Sequence, residues 1–500
     1  MYSKVRFLSL LIPVFIGLCG CSPVEQSARL LNMPAPIAPD FAEVTVPRNL
    51  APLRFALPDT CRLAEVQAVF QAGDVTRVVR AERGGVCIDP AGWQQLCAAS
   101  DTVSVRVQGK NFGEWVEFDV FHVYVSSDSI DPVLVYRLIE PGHEIWNEMG
   151  IYQRNLETYD ETPVLENRQT QGGCMNCHSF SQYQPDRMLL HLRKELGGTY
   201  VLRDGQVERL NTKTPETISM LVYPFWHPAG RFVAFSTNLT KQAYHSTDRN
   251  RVEVFDLASD VVIYDVEKHL VFSCPQLKSG TSFDTFPAFS PDGGTLFFCS
   301  ADSVPMPDGY QDVHYSLCSI PFCPDSALTG NYAAAFGSRV DTLYNARVAG
   351  GSISFPRVSP DGRFLLYTHS AYGNFSIWHK DADLRMLCLE TAQPADVSAL
   401  NSPDVESYHS WSSNGRWVVF STRRDDGLYT RLYLAHIDAD GHCSKPAPLP
   451  QADAFHDLRL MKSYNIPEFV QGSVSAGPSI EGAAHTQTGI DLKFAGGVEP

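Results

Sequence analysis

The chain has 500 residues, with 40 Lys and Arg against 56 Asp and Glu, giving a formal net charge of −16. That balance excludes the basic footprint of a nucleic-acid binder and argues against direct adhesion to anionic lipid. Hydrophobic residues make up 44% and charged residues 19%, a globular composition long enough for more than one domain.

Residues 1–20 read as an export signal. Lys4 and Arg6 precede a mostly apolar run over 7–18, too short to remain as a membrane span. The run ends Leu18-Cys19-Gly20-Cys21-Ser22, which resembles the lipobox of bacterial lipoproteins. The resemblance implies cleavage before Cys21 and a lipid on its sulfur, with an ordinary secretory signal as the alternative. No later segment reaches eighteen uninterrupted apolar residues, so the expected anchor is acyl chain alone. The expected location is the cell envelope, at the outer membrane on its periplasmic or surface face.

Residues 21–43, with prolines at 34, 36 and 39, are expected to be a lipidated tether. From 44 to 140 apolar and polar residues alternate, as in Val103-Ser104-Val105-Arg106-Val107. Period-2 runs broken by Gly and Pro predict an antiparallel β-sandwich, with a helical turn near 91–96. No catalytic constellation occurs there.

Residues 141–185 read as a linking segment around Cys174-Met175-Asn176-Cys177-His178. Two thiols two residues apart followed by histidine is the attachment signature of c-type haem. The sulfurs would take the two vinyl groups of one haem c, and His178 would ligate iron from below. Competing readings are a redox or structural Cys174–Cys177 pair, and a metal site, although no second Cys/His pair supports zinc. Candidates for the second axial ligand are His191, Met188 and His245, in that order, with His227 and His409 further off. A Met or His there suits electron transfer, and an open position suits small-molecule chemistry. Trp146, Tyr152 and Phe180 are candidate porphyrin contacts or plain core aromatics.

Nine further cysteines remain, an odd number that requires at least one free thiol or intermolecular pair. Cys318 with Cys323 and Cys87 with Cys97 are candidate pairs, and Cys299 reads as a buried thiol.

The second half repeats. Trp226-His227-Pro228-Ala229-Gly230, Phe289-Ser290-Pro291-Asp292-Gly293, Val358-Ser359-Pro360-Asp361-Gly362 and Trp411-Ser412-Ser413-Asn414-Gly415 each precede an apolar strand. Asp-Gly and Asn-Gly supply hairpin turns. These units resemble TolB-like β-propeller repeats over 186–470, which implies an all-β fold of six blades, with five or seven as alternatives, and 471–500 as a tail. Together with the haem motif, residues 407–414 and residues 462–469, the chain resembles a family of Bacteroides-type lipoproteins combining such a propeller with a c-type cytochrome motif.

The function expected from this is a lipid-anchored envelope haem protein. It would transfer electrons to, or dock, a redox partner, with the propeller as scaffold. The alternative is a non-redox propeller that binds a protein or glycan, with the Cys-x-x-Cys-His segment structural. No Gly-x-Ser-x-Gly, His-Glu-x-x-His or P-loop pattern occurs, so an electron carrier or binding protein is expected over a catalyst.

Overall fold

The four repeat turns place Gly230, Gly293, Gly362 and Gly415 at φ between +66° and +76°, a conformation that costs glycine no Cβ clash. Each turn joins an inner strand to an antiparallel neighbour, and the units assemble into a ring of six four-stranded blades. The computed structural model describes residues 25–140 and 147–495.

Blade 1 has its inner strand at Met175–Phe180, followed by Met188–Leu192, Gly198–Arg203 and Gln206–Asn211. The inner strands of blades 2 to 5 are Leu221–Trp226, Ser282–Phe289, Ser352–Val358 and Glu406–Trp411. Blade 6 closes the ring from both parts of the chain. Its inner strand is Ser463–Val470, and its outer three are Val133–Ile139, Gly150–Asn155 and Glu161–Glu166. Ser463–Val470 pairs antiparallel with Val133–Ile139, from Val133↔Val470 to Ile139↔Ser463. Radial closure of this kind removes exposed sheet edges at the axis.

Six blades agree with the expectation, but the boundaries move. Within the segment expected as a linker over 141–185, residues 147–185 contain two strands of blade 6 and the inner strand of blade 1. The run at 133–139, expected to end the first domain, belongs to the propeller. Residues 471–495 are not a loose tail. The helix Gly477–Thr486 packs Ile480, Ala483 and Ala484 against Val164. Ile490–Asp491 and Lys493–Phe494 then add parallel strands to the outer edges of blades 1 and 2.

The first domain also starts earlier than expected. Arg29–Pro34 pairs parallel with Glu114–Asp119, Val44–Pro47 pairs parallel with Phe121–Ser126, and Phe41 is buried. The tether expected over 21–43 is therefore tied to the first sheet from residue 29 onward, with its side chains over 29–34 mostly exposed. The domain is a mixed seven-stranded sheet with a small two-stranded sheet, Arg54–Ala56 with Gly85–Cys87, rather than a purely antiparallel sandwich. The helix expected near 91–96 runs Pro90–Ala99, capped by Asp89 accepting from the Gly92 N–H at 2.9 Å. One apolar core joins this domain to blades 5 and 6 through Trp417, Val419, Leu432, Leu134 and Tyr136.

All eleven cysteines among the described residues are unpaired. Cys318 is buried beside Thr342 while Cys323 is exposed, and Cys97 is buried while Cys87 is exposed, so neither expected pair forms. Cys299 is a fully buried thiol, as expected. Among the described residues no helix is long and apolar enough to cross a membrane.

Candidate functional site: the channel and its two mouths

Every inner strand skips two residues in its pairing with the next strand. The skipped pairs are Cys177-His178, Tyr223-Pro224, Phe286-Pro287, Phe355-Pro356, Tyr408-His409 and Ile466-Pro467. In each pair the first residue is left-handed, with φ between +48° and +54°. Such a φ is strained for a side-chain-bearing residue and persists only where packing holds it. Here it turns the side chain toward the ring axis. Proline is tolerated at four of the second positions because a bulge needs no N–H in the ladder.

These pairs plug the channel. Ring centroids lie 4.6 Å apart for Tyr223–Phe286, 4.1 Å for Phe286–Phe355 and 5.0 Å for Phe355–Tyr408. The remaining cavity at the axis is about 50 Å³, room for a water or two.

The Cys-x-x-Cys-His motif is thus the blade 1 copy of this element. His178 occupies the position of His409 in blade 5. The His409 Nε2 lies 3.0 Å from the Leu366 carbonyl, in the second strand of the preceding blade. The Val135 and Ile466 carbonyls stand in the matching places beside His178, although neither makes a well-directed hydrogen bond with its ring nitrogens. Burial pulls both imidazoles down: His178 falls to about 3 with help from the Arg137 charge, and His409 also to about 3 with help from Arg357. Both are neutral side chains wedged between blades.

Residues on either side of the plug form two mouths. At the N-terminal ends of the inner strands lie two adjoining cavities separated by Asn176. One, about 140 Å³, faces blade 6 and is lined by Cys174, Arg137, Arg193, Trp378 and Arg423. The other, about 320 Å³, faces blade 2 and is lined by Cys177, His191, Arg193 and Tyr223. A long hairpin, Phe232–Tyr244 with Val252–Asp265, roofs both: Gln242 and Val254 border the first, and Asn238 and Thr240 the second. Its far side is fastened by a buried Glu253–His379 contact of 3.1 Å and by Tyr372 Oη donating to Glu253 at 2.6 Å. Asp256 accepts from Asn238 and Asn374 at 2.7 and 2.6 Å, and burial lifts its carboxyl to about 6.

At the opposite mouth, a cavity of about 120 Å³ is lined by Ser179, Arg357, Ser410 and Glu468 among aromatic rings. The Phe180 N–H donates to the Glu468 carboxylate at 3.0 Å. Burial pushes Glu468 up to about 7 against the opposing pull of Arg357.

The expected ligand candidates separate in this geometry. Met188 is fully buried in the interface of blades 1 and 6, with Val133 and Val470. It borders neither cavity. His191 lines the larger cavity, its Nδ1 3.0 Å from Thr199 Oγ1 and its buried Nε2 without a partner. His245 stands at the hairpin tip beside Tyr310, far along the chain from the channel. His227 bridges to the Gly293 carbonyl at 3.2 Å. Tyr152 is in an outer strand of blade 6, donating to Glu166 at 2.6 Å, while Phe180 packs edge-on to His178 at 6.3 Å. Trp146 and Cys21 lie outside the described residues.

As placed, the motif does not fit a covalently held porphyrin. The Arg193 N–H donates to the Cys174 carbonyl at 3.0 Å, so the ladder includes Cys174, with Met175↔Leu192 and Asn176↔His191 next. At roughly 3.3 Å per residue the two cysteines stand about 10 Å apart along the strand. Cys174 lines the cavity that faces blade 6, while Cys177 lines the one that faces blade 2 and also the axial cavity. That spacing also excludes a disulfide without backbone movement. His178 borders only the 50 Å³ axial cavity, where no macrocycle enters.

No protein-family profile matches the chain, and comparison with curated proteins finds no match. Among solved structures it is similar to oligogalacturonate lyase from Vibrio parahaemolyticus, at 15% identity over 59% of this chain and 70% of that one, TM-score 0.36. The periplasmic gluconolactonase of Pseudomonas aeruginosa gives 12% identity, 64% and 69% coverage, and TM-score 0.27. The β-propeller domain of the Trilobed protease from Pyrococcus furiosus gives 10%, 71%, 83% and 0.32. The blade count stands on this chain's own strand pairing.

Proposed function

We propose that this protein is a lipid-anchored envelope binding protein whose site is the hairpin-roofed mouth of the propeller. One observation carries the reading: two adjoining cavities, of about 140 and 320 Å³, meet at Asn176 beneath a hairpin that no blade needs for closure. Together they fall in the size range of small-molecule sites, and they sit where loops from several blades converge. The anchor on Cys21 rests on the export signal and lipobox resemblance alone.

The covalent haem c expected from the motif, with electron transfer to a redox partner, is the second reading. What favours it is the Cys-x-x-Cys-His spacing and a buried His178 ring lacking well-directed partners. No step of binding is routed through it. Protein purified from its native envelope decides between the two. The binding reading expects a denatured chain with no prosthetic mass and no pyridine haemochrome, and a native mass spectrum with a non-covalent adduct. Gln242→Trp, at an exposed roof position, should reduce that adduct at least tenfold with an unchanged circular dichroism spectrum. A haemochrome signal surviving denaturation would restore the redox reading.

A further inference from the structure

The roofed mouth gathers three arginines in a strongly acidic chain. Arg423 is 6% exposed and Arg137 8% exposed, yet both reach the same cavity. Arg137 donates to Asn176 Oδ1 at 2.8 Å and toward the Met175 carbonyl at 3.3 Å, leaving its buried Nε unpartnered. The Arg423 guanidinium stacks on Trp378 at 3.8 Å and forms no hydrogen bond or ion pair among the described residues. Its Nε is buried and unpartnered. Asp404 and Asp426 act on it only at a distance, and burial draws it down to about 10. Arg193 is exposed and lines both cavities. Glu140 is the acid at this lining, and its carboxylate is occupied by the Asn147 N–H at 3.0 Å.

A buried cation without a counter-charge is destabilising, and folds keep one only where something compensates it. Guanidinium forks match oxyanions in pairs of hydrogen bonds, and an aromatic face keeps the fork oriented. The next cavity adds the unpartnered His191 Nε2, a neutral imidazole able to donate one further bond.

Resting on the binding reading above, we infer that the mouth takes a small organic molecule bearing two or more oxyanion groups. One group pairs with Arg423 and Arg137, and another with Arg193 and His191 across Asn176. Carboxylate and phosphate share this chemistry.

The test is isothermal titration of the full chain with citrate, pyrophosphate and neutral galactose, in low and moderate chloride. Citrate or pyrophosphate should bind, whichever is preferred naming the oxyanion, while galactose should not. Arg193→Gln, an exposed change that leaves the fold intact, should weaken binding at least tenfold, as should Arg423→Gln. Binding that is equal in Arg193→Gln, or no tighter than that of chloride, overturns the inference. Galactose binding lost in Gln242→Trp, with neither anion bound, would keep the site and sink its charge preference. No adduct and no titration would remove the binding reading itself.

Discussion

At the scale of single residues, position matters more than motif. His178 stands where four other blades carry proline, so His178→Pro should fold, losing only about 1–2 kcal/mol against the ~3–5 of a true core break. Urea denaturation with a circular dichroism readout measures this; failure to fold would show that the ring does more than wedge two blades. Glu468 offers a second prediction. Its carboxyl titrates near 7 in the fold and near the ordinary 4.5 unfolded, so the folded state holds the extra proton between those values. Stability from this group is present below about pH 4.5 and is lost as pH rises through 7. Glu468→Gln should flatten that part of a melting-temperature profile, and an unaltered slope would assign it to another group. The sequence made Cys177-His178 look like a cofactor anchor because nothing in it shows that Tyr408-His409-Ser410-Trp411 is the same element. The repeat and the haem signature overlap at Cys177 and His178, and strand pairing shows the backbone bulging there as in the other blades.

At the scale of elements, four blade turns were legible because three carry Asp-Gly or Asn-Gly and the first keeps a glycine after Pro228-Ala229. Blades 1 and 6 were not. Blade 1 replaces the aromatic-proline pair with Cys-His, and blade 6 takes its strands from 133–166 and 463–470. The arginine mouth was hidden for a similar reason: Arg137, Arg193, Trp378 and Arg423 come from different blades, with no shared spacing. The long hairpin of blade 2 was not legible, either as strands or as a roof. Its anchoring contacts to the Lys380 and Pro403 carbonyls come from Arg249, at 3.3 Å each, reinforcing the buried Glu253–His379 contact. Shortening it to a two-residue turn between Asn238 and Ser259 should preserve the blades. It should also speed amide exchange at Asn176 and Arg193 by more than tenfold, as mass spectrometry of exchanged peptides would show. Unchanged exchange would mean that the hairpin covers nothing.

At the scale of the whole molecule, the first domain and the ring share one core, with Trp417 Nε1 donating to the Asp128 carbonyl at 3.1 Å and Ser413 to Asp131. The closing blade holds the circle. A chain ending before Ser463 leaves Val133–Ile139 without its inner partner, and it should show no cooperative melt and rapid proteolysis across 133–166. A sharp transition in that truncated chain would overturn the dependence of the ring on its last inner strand.

That closure also sets a timetable for synthesis. Because the sealing strand follows blades 1 to 5 in the chain, five blades wait as an open arc while the sixth has only its outer rim. A prematurely terminated product would present an unzipped edge to quality-control proteases.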